Sequence, residues 1–298
     1  MNVVTIALAC ALTAQAEPRQ TRAPQTDQTV PVSRGARLAI DNYAGEVVIH
    51  AWDKDAIRVQ ARHNGRAKVN IRTDANTVTI GATTVNSPSG SVDYDITAPA
   101  WLPMKIEGQF DFVTVDGIQG DIDVTTVRGD IVLKNIGSAA VRTVEGAIQL
   151  DGARGKVSLN SVNEDIKANG ASGEFVADTT NGDISLTRME SANAEVTTVS
   201  GDIEYEGSLA DKGHYTFTSH SGDVKLIIPA SANATFNVRT YSGEFSSSLP
   251  VKGPNPSEVH QGKRATYTLG NGSADVEMES FSGDIMLRRA GADRSARH

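Results

Sequence analysis

Thr198-Val199-Ser200-Gly201-Asp202-Ile203 is one copy of a hexapeptide that recurs along most of this 298-residue chain. The pattern is a hydroxyl residue, any residue, a polar residue, glycine, an acid and an aliphatic. Upstream stand Thr126-Val127-Arg128-Gly129-Asp130-Ile131, Thr143-Val144-Glu145-Gly146-Ala147-Ile148, Ser161-Val162-Asn163-Glu164-Asp165-Ile166 and Thr179-Thr180-Asn181-Gly182-Asp183-Ile184. Downstream stand Ser219-His220-Ser221-Gly222-Asp223-Val224, Thr240-Tyr241-Ser242-Gly243-Glu244-Phe245 and Ser280-Phe281-Ser282-Gly283-Asp284-Ile285. Asn42-Tyr43-Ala44-Gly45-Glu46-Val47 is a degenerate early copy. The fourth positions, from 129 to 283, are separated by 17, 18, 18, 19, 21, 21 and 40 residues. The last step is about twice the others, so one copy reads as overwritten by an insertion, with Pro250 to Pro256 as its loop.

Apolar residues alternate on both sides of each copy. Ile184 and Leu186 follow one, and Val224, Leu226 and Ile228 follow another; Val157 and Leu159, Tyr215 and Phe217, and Phe236 and Val238 precede others. A period of two means strand. Two short strands per coil of about 18–21 residues predict an all-β fold, a β-solenoid resembling a parallel β-helix. An antiparallel sandwich also has frequent turns, but gives successive turns no reason to share one sequence. Gly129, Gly146, Gly182, Gly201, Gly222, Gly243 and Gly283 are then structural repeat residues, expected at corners with positive φ. The hydroxyl residues should stack hydroxyl above hydroxyl. Ile203 should point inward between Ile184 and Val224.

With 28 basic and 36 acidic residues the net charge is −8, which argues against nucleic acid as the partner. The single cysteine, Cys10, excludes an internal disulfide and a cysteine-based zinc site. Residues 1–16 have an apolar stretch from Val3 to Leu12 and a small-x-small end, Ala14-Gln15-Ala16, and read as a signal peptide. Export follows, to the periplasm, the cell surface or the medium. No later run is long enough for a transmembrane helix. Residues 17–35 read as a flexible tether, 36–110 as a strand-rich N-terminal part of the solenoid, 111–290 as the repeat solenoid, and 291–298 as a frayed tail.

The serial hexapeptides, the opening Asn42 to Asp53, the segment Tyr94-Asp95-Ile96-Thr97-Ala98-Pro99 and the run Gly270-Asn271-Gly272 carry a resemblance. Over residues 36–290 the chain resembles the bacterial putative-adhesin family of β-strand-repeat envelope proteins. The resemblance implies an exported, non-enzymatic β-solenoid and transfers no catalytic residue.

Candidate chemistry is sparse. Asp130, Asp165, Asp183, Asp202, Asp223, Glu244 and Asp284 should form an acid column along one corner. A cation ladder at Asp183, Asp202 and Asp223 is one reading; solvated turn residues are the plainer one. Asp93, Asp95 and Asp111 alternate and should share a polar outer face, which does not favour a paired-carboxylate glycosidase site. Ser219, His220 and Asp223 are too close in one turn for triad geometry, so His220 reads as a variable turn residue. No cofactor is expected. The leading expectation is a non-catalytic envelope scaffold or adhesin-like surface that binds an unknown envelope or surface ligand, a glycan or a protein. The alternatives are a carbohydrate-active enzyme on a β-helix and a structural element that self-associates through its solenoid ends.

Overall fold

The computed structural model describes residues 25–63, 67–84, 90–255, 262 and 264–291. Every regular element among them is a strand. In chain order they are β1 (Thr26–Pro31), β2 (Arg37–Trp52), β3 (Ala56–His63), β4 (Ala67–Asp74), β5 (Thr77–Thr84), β6 (Val92–Pro99), β7 (Met104–Asp116) and β8 (Ile122–Thr125). The repeats supply β9 (Ile131–Ile136), β10 (Ala139–Arg142), β11 (Ile148–Ala153), β12 (Val157–Asn160), β13 (Ile166–Thr179), β14 (Ile184–Thr198), β15 (Ile203–Gly207), β16 (His214–Ser219) and β17 (Val224–Ile228). The C-terminal part supplies β18 (Ala234–Thr240), β19 (Phe245–Ser247), β20 (Ala265–Leu269), β21 (Ala274–Ser280) and β22 (Ile285–Arg289). The signal-peptide stretch and most of the expected tail lie outside the described residues.

Two parallel ladders run the length of this β-solenoid-like stack. The first joins the strands that lead into each hexapeptide: Leu38 pairs with Met104, then Ile122, Ala139, Val157, Phe175, Ala194 and Tyr215 follow in register. The second joins the strands that leave it: Val47, Val113, Ile131, Ile148, Ile166, Ile184, Ile203 and Val224. These rungs face one another and are almost entirely buried, which explains the alternating sequence. Ile203 is fully buried between Ile184 and Val224. Strand β7 runs unbroken across residues 110 and 111, so the lead-in and the repeats share one stack.

The spatial order departs from the chain order at the C-terminal end. Beyond β16 and β17 lie β21 and β22, and only then β18 and β19. No copy has therefore been overwritten. The chain skips one coil position, lays down 234–247 on the outside, turns back, and fills the gap with 274–289. Strand β20 closes the outside by pairing antiparallel with β18. At the other end β5 and β6 extend the two ladders, and the antiparallel strands β4, β3 and β1 cover them. Part of the expected tether is thus strand: Thr26–Pro31 is β1, and Asp27 accepts two hydrogen bonds from Arg58 at 2.9 and 2.7 Å.

The reason for the repeat glycines also differs from the expectation. Of the seven, only Gly129 has positive φ, at 115°. A Cβ at Gly201 would strike the carbonyl oxygen of Gly182, one at Gly222 that of Gly201, one at Gly283 that of Gly222, and one at Gly243 that of Gly283. These glycines, like Gly146 and Gly182, exist because neighbouring coils come too close for any side chain. Left-handed backbone occupies the opposite corner instead, at Gly117, Asn135, Gly152, Gly170 and Arg188.

Candidate functional site

The hexapeptide corner is where most candidate residues converge. Its first position is buried in all copies but the Thr240 one, and from Ser161 onward its hydroxyl reaches across to the neighbouring coil; Thr126 bonds the Arg128 carbonyl of its own coil, and Thr143 Oγ1 makes no hydrogen bond among the described residues. Ser219 Oγ donates to the Gly201 carbonyl at 2.9 Å, Ser280 to Gly222 at 2.9 Å and Thr240 to Gly283 at 3.1 Å. Thr198, Thr179 and Ser161 do the same to Gly182, Glu164 and Gly146. The hydroxyls therefore bond carbonyls rather than one another, a correction to the stacked-hydroxyl expectation. Carbonyls at a tight corner otherwise lack a ladder donor.

The acids at the fifth position form a second column. Asp202 donates its amide N–H to Asp183 Oδ1 at 2.8 Å, Asp223 to Asp202 at 2.8 Å, Asp284 to Asp223 at 2.8 Å and Glu244 to Asp284 at 2.9 Å. Asp183 bonds Asp165 likewise, and Ala147 bonds Asp130. Each of these aspartates caps the next coil, and Glu244 ends the column. Among the described residues no group of three His, Cys, Asp or Glu side chains has an arrangement that could hold a metal ion.

The second position, read from the sequence as unconstrained, is the outward ridge. Val127, Val144 and Val199 are each about two-fifths exposed. At the C-terminal end the ridge turns aromatic. His220 stacks on Phe281 at 4.8 Å and 15°, and Phe281 lies 5.0 Å from Tyr241. The Arg239 guanidinium covers Tyr241 at 4.7 Å. Neighbours lie against Phe281 on both sides, so these rings offer mainly edges to solvent. Ser219, His220 and Asp223 are each engaged in separate structural contacts, and they form no triad.

The N-terminal end of the corner breaks the pattern. Asp111 is aligned with the glycine position and is fully buried, a correction to its expected place on an outer face with Asp93 and Asp95. It accepts a 2.7 Å hydrogen bond from Asn42 Nδ2. Asp111 Oδ2, Asn42 Oδ1 and Tyr94 Oη make no hydrogen bond among the described residues. Burial pushes the Asp111 carboxyl up to about 7, against the pull of Asn42 and the Gln109 backbone, with Asp41 adding repulsion. Next to it Phe112 points outward, 57% exposed. Phe110 and Tyr43 are also exposed and meet edge to face at 5.7 Å. These rings were missed in the sequence; the available signal was a phenylalanine where other coils carry an acid.

The Toastrack DUF4097 family matches residues 36–288, and the chain belongs to it. The family is an uncharacterised, adhesin-like one of β-solenoid-like repeats. A putative adhesin from Parabacteroides merdae ATCC 43184 has a similar structure, at a TM-score of 0.52 and 10% identity, covering 88% of this chain and 95% of that one. Another from Bacteroides fragilis NCTC 9343 reaches 0.43 at 9% identity, covering 88% and 96%. At such identity the first likeness bears on the fold alone. No curated protein matches the chain. Among the described residues no helix is long and apolar enough to cross a membrane.

Proposed function

We propose that this protein is an exported, non-catalytic β-solenoid that serves as a cell-envelope scaffold or adhesin-like binding surface. Its coils are of about 18–21 residues with two short strands each. The observation that carries this is the fate of the reactive groups at the corner. Most of its hydroxyls and carboxylates are spent on backbone groups of adjacent coils, while an apolar and aromatic ridge faces outward. Such a surface binds by summing contacts over a rigid lattice of side chains. The ligand class is an envelope or surface glycan or protein. The acid column serves as a set of caps rather than a cation ladder.

The test is a pair of measurements on the exported protein. Labelled protein should bind envelope material and saturate. A screen of acidic and neutral polysaccharides should show no turnover; release of reducing ends or unsaturated products would overturn the reading and favour a carbohydrate-active enzyme.

A further inference from the structure

We propose that the corner formed by Tyr43, Phe110 and Phe112 with Glu46, Asp93 and Asp130 seats a cationic side chain, arginine or lysine, of a protein partner. This rests on the reading of the molecule as a binding surface and names one partner chemistry for it.

The second coil inverts the repeat at this point. Most other coils keep a glycine inside and an acid outside, and two replace one of the pair, with Glu164 or Ala147; this coil replaces both, with Asp111 inside and Phe112 outside. The inversion works against the fold twice over. A carboxyl is buried with one oxygen that has no partner among the described residues, and Phe112 cannot accept the Asp130 amide, so the ladder of caps that Asp93 makes to Glu46 is interrupted here and resumes with Asp130. A coil that departs from the repeat at both positions, where Glu164 and Ala147 each mark a departure at one, points to a role other than stacking. Phe112 makes no ring contact among the described residues and leaves its apolar surface in water.

The surroundings select the occupant. Phe110 and Phe112 line a concavity together with Glu46, Asp93 and Asp130. Glu46 is the register partner of Phe112 on one side, and Asp130 flanks it on the other. Asp93 and Asp130 each use Oδ1 for a backbone amide, and among the described residues neither they nor Glu46 form an ion pair. Two cations of the chain lie at the rim: Arg62 is the register partner of Asp93, and Arg128 has its guanidinium 5.8 Å from the Phe110 centroid and pairs with Glu145. The molecule thus already seats one guanidinium on this aromatic surface, and three carboxylates lie beside the rings that have none. A cation over an aromatic face with carboxylates at its edge is favourable on both counts. An anionic lipid surface would be repelled by the same carboxylates. A neutral sugar would leave their charge unanswered.

The probe is fluorescently labelled hexa-arginine, with a glycine-serine peptide of equal length as control, read by anisotropy on the full chain at low and moderate salt. The parent should bind hexa-arginine and not the control. Phe112→Asp is the decisive variant. It restores the acid of the repeat and adds a negative charge, so non-specific attraction predicts tighter binding, whereas loss of one exposed cation–π contact predicts about two- to fivefold weaker binding. Phe112→Ser, which adds no charge, should weaken it too, and guards against a folding defect peculiar to the aspartate. Glu46→Gln with Asp93→Asn should weaken it and reduce its salt dependence. Equal or tighter binding by Phe112→Asp, or no binding by the parent, overturns the proposal. If the parent ignores hexa-arginine yet still binds envelope material, this corner is wrong and the broader binding reading stands. If it binds neither, both fall.

Discussion

Asp111 and Gly201 show how single residues carry the strain and the fit of this stack. Native Asp111 keeps its proton up to about pH 7, whereas in the unfolded chain it releases it near its ordinary value of 3.8. The native state therefore binds more protons between those values, and this group's contribution to stability falls as pH rises through that window. Asp111→Asn should flatten the fall, read as melting temperature against pH; an unchanged profile would show that the carboxyl is not desolvated. Gly201 is constrained by contact, not by dihedral angle. Gly201→Ala should lower stability by about 1–3 kcal/mol through overpacking against Gly182. Gly170, left-handed with open space around it, should lose only about 1 kcal/mol on the same change. Urea midpoints in the reverse order would return the argument to positive φ. Ile203→Asp should be among the most damaging changes, because its carboxylate would sit unpaired between Ile184 and Val224, at a cost of several kcal/mol.

At the scale of elements, the acid column and the ladders it caps act together. Asparagine keeps an oxygen acceptor at the position of the aspartate and removes the charge. Asp183→Asn, Asp202→Asn and Asp223→Asn combined should melt at or slightly above the parent temperature, since like charges a coil spacing apart repel. The corresponding triple alanine variant should melt lower, having lost three amide acceptors worth about 0.5–1.5 kcal/mol each. Millimolar calcium should shift neither the parent nor the variants. A calcium-dependent rise that vanishes in the asparagine triple would instead establish a cation ladder. The edge-forming elements follow the logic of protected ends. Antiparallel β1, β3 and β4 cover one end and β20 part of the other, which blunts the strand edges that would otherwise recruit a second chain.

Over the whole molecule, the exchanged order of the last coils has a measurable consequence. Strands β18 and β19 contact the stack through β21 and β22, not through β16 and β17. A chain ending before residue 274 should therefore lose amide protection at Thr235 and Asn237, whose N–H groups face β21 rather than β20, in hydrogen exchange, while Ile131 and Ile148 stay protected. Retained protection at Asn237 would mean that 234–247 packs directly on 214–228. The parallel, registered repeat was legible in the hexapeptides alone. The hexapeptide spacing and the two-residue alternation of Ile131, Ile184 and Ile203 with their neighbours fix which side chains face in, because burial reads a strand one face at a time. The sequence could not determine the order of coils, since every copy offers the same edges and only the closed stack decides which pair meets. Nor could it show why Gly201 is glycine, because a clash with the next coil and a positive φ demand the same residue. The aromatic corner was legible only as an irregularity at Phe112. Asp111 and Phe112 are adjacent in a strand, and which of them turned inward was settled by Asn42, whose amide donates both to the Asp111 carboxyl and to the Val92 carbonyl and so joins segments far apart in the chain.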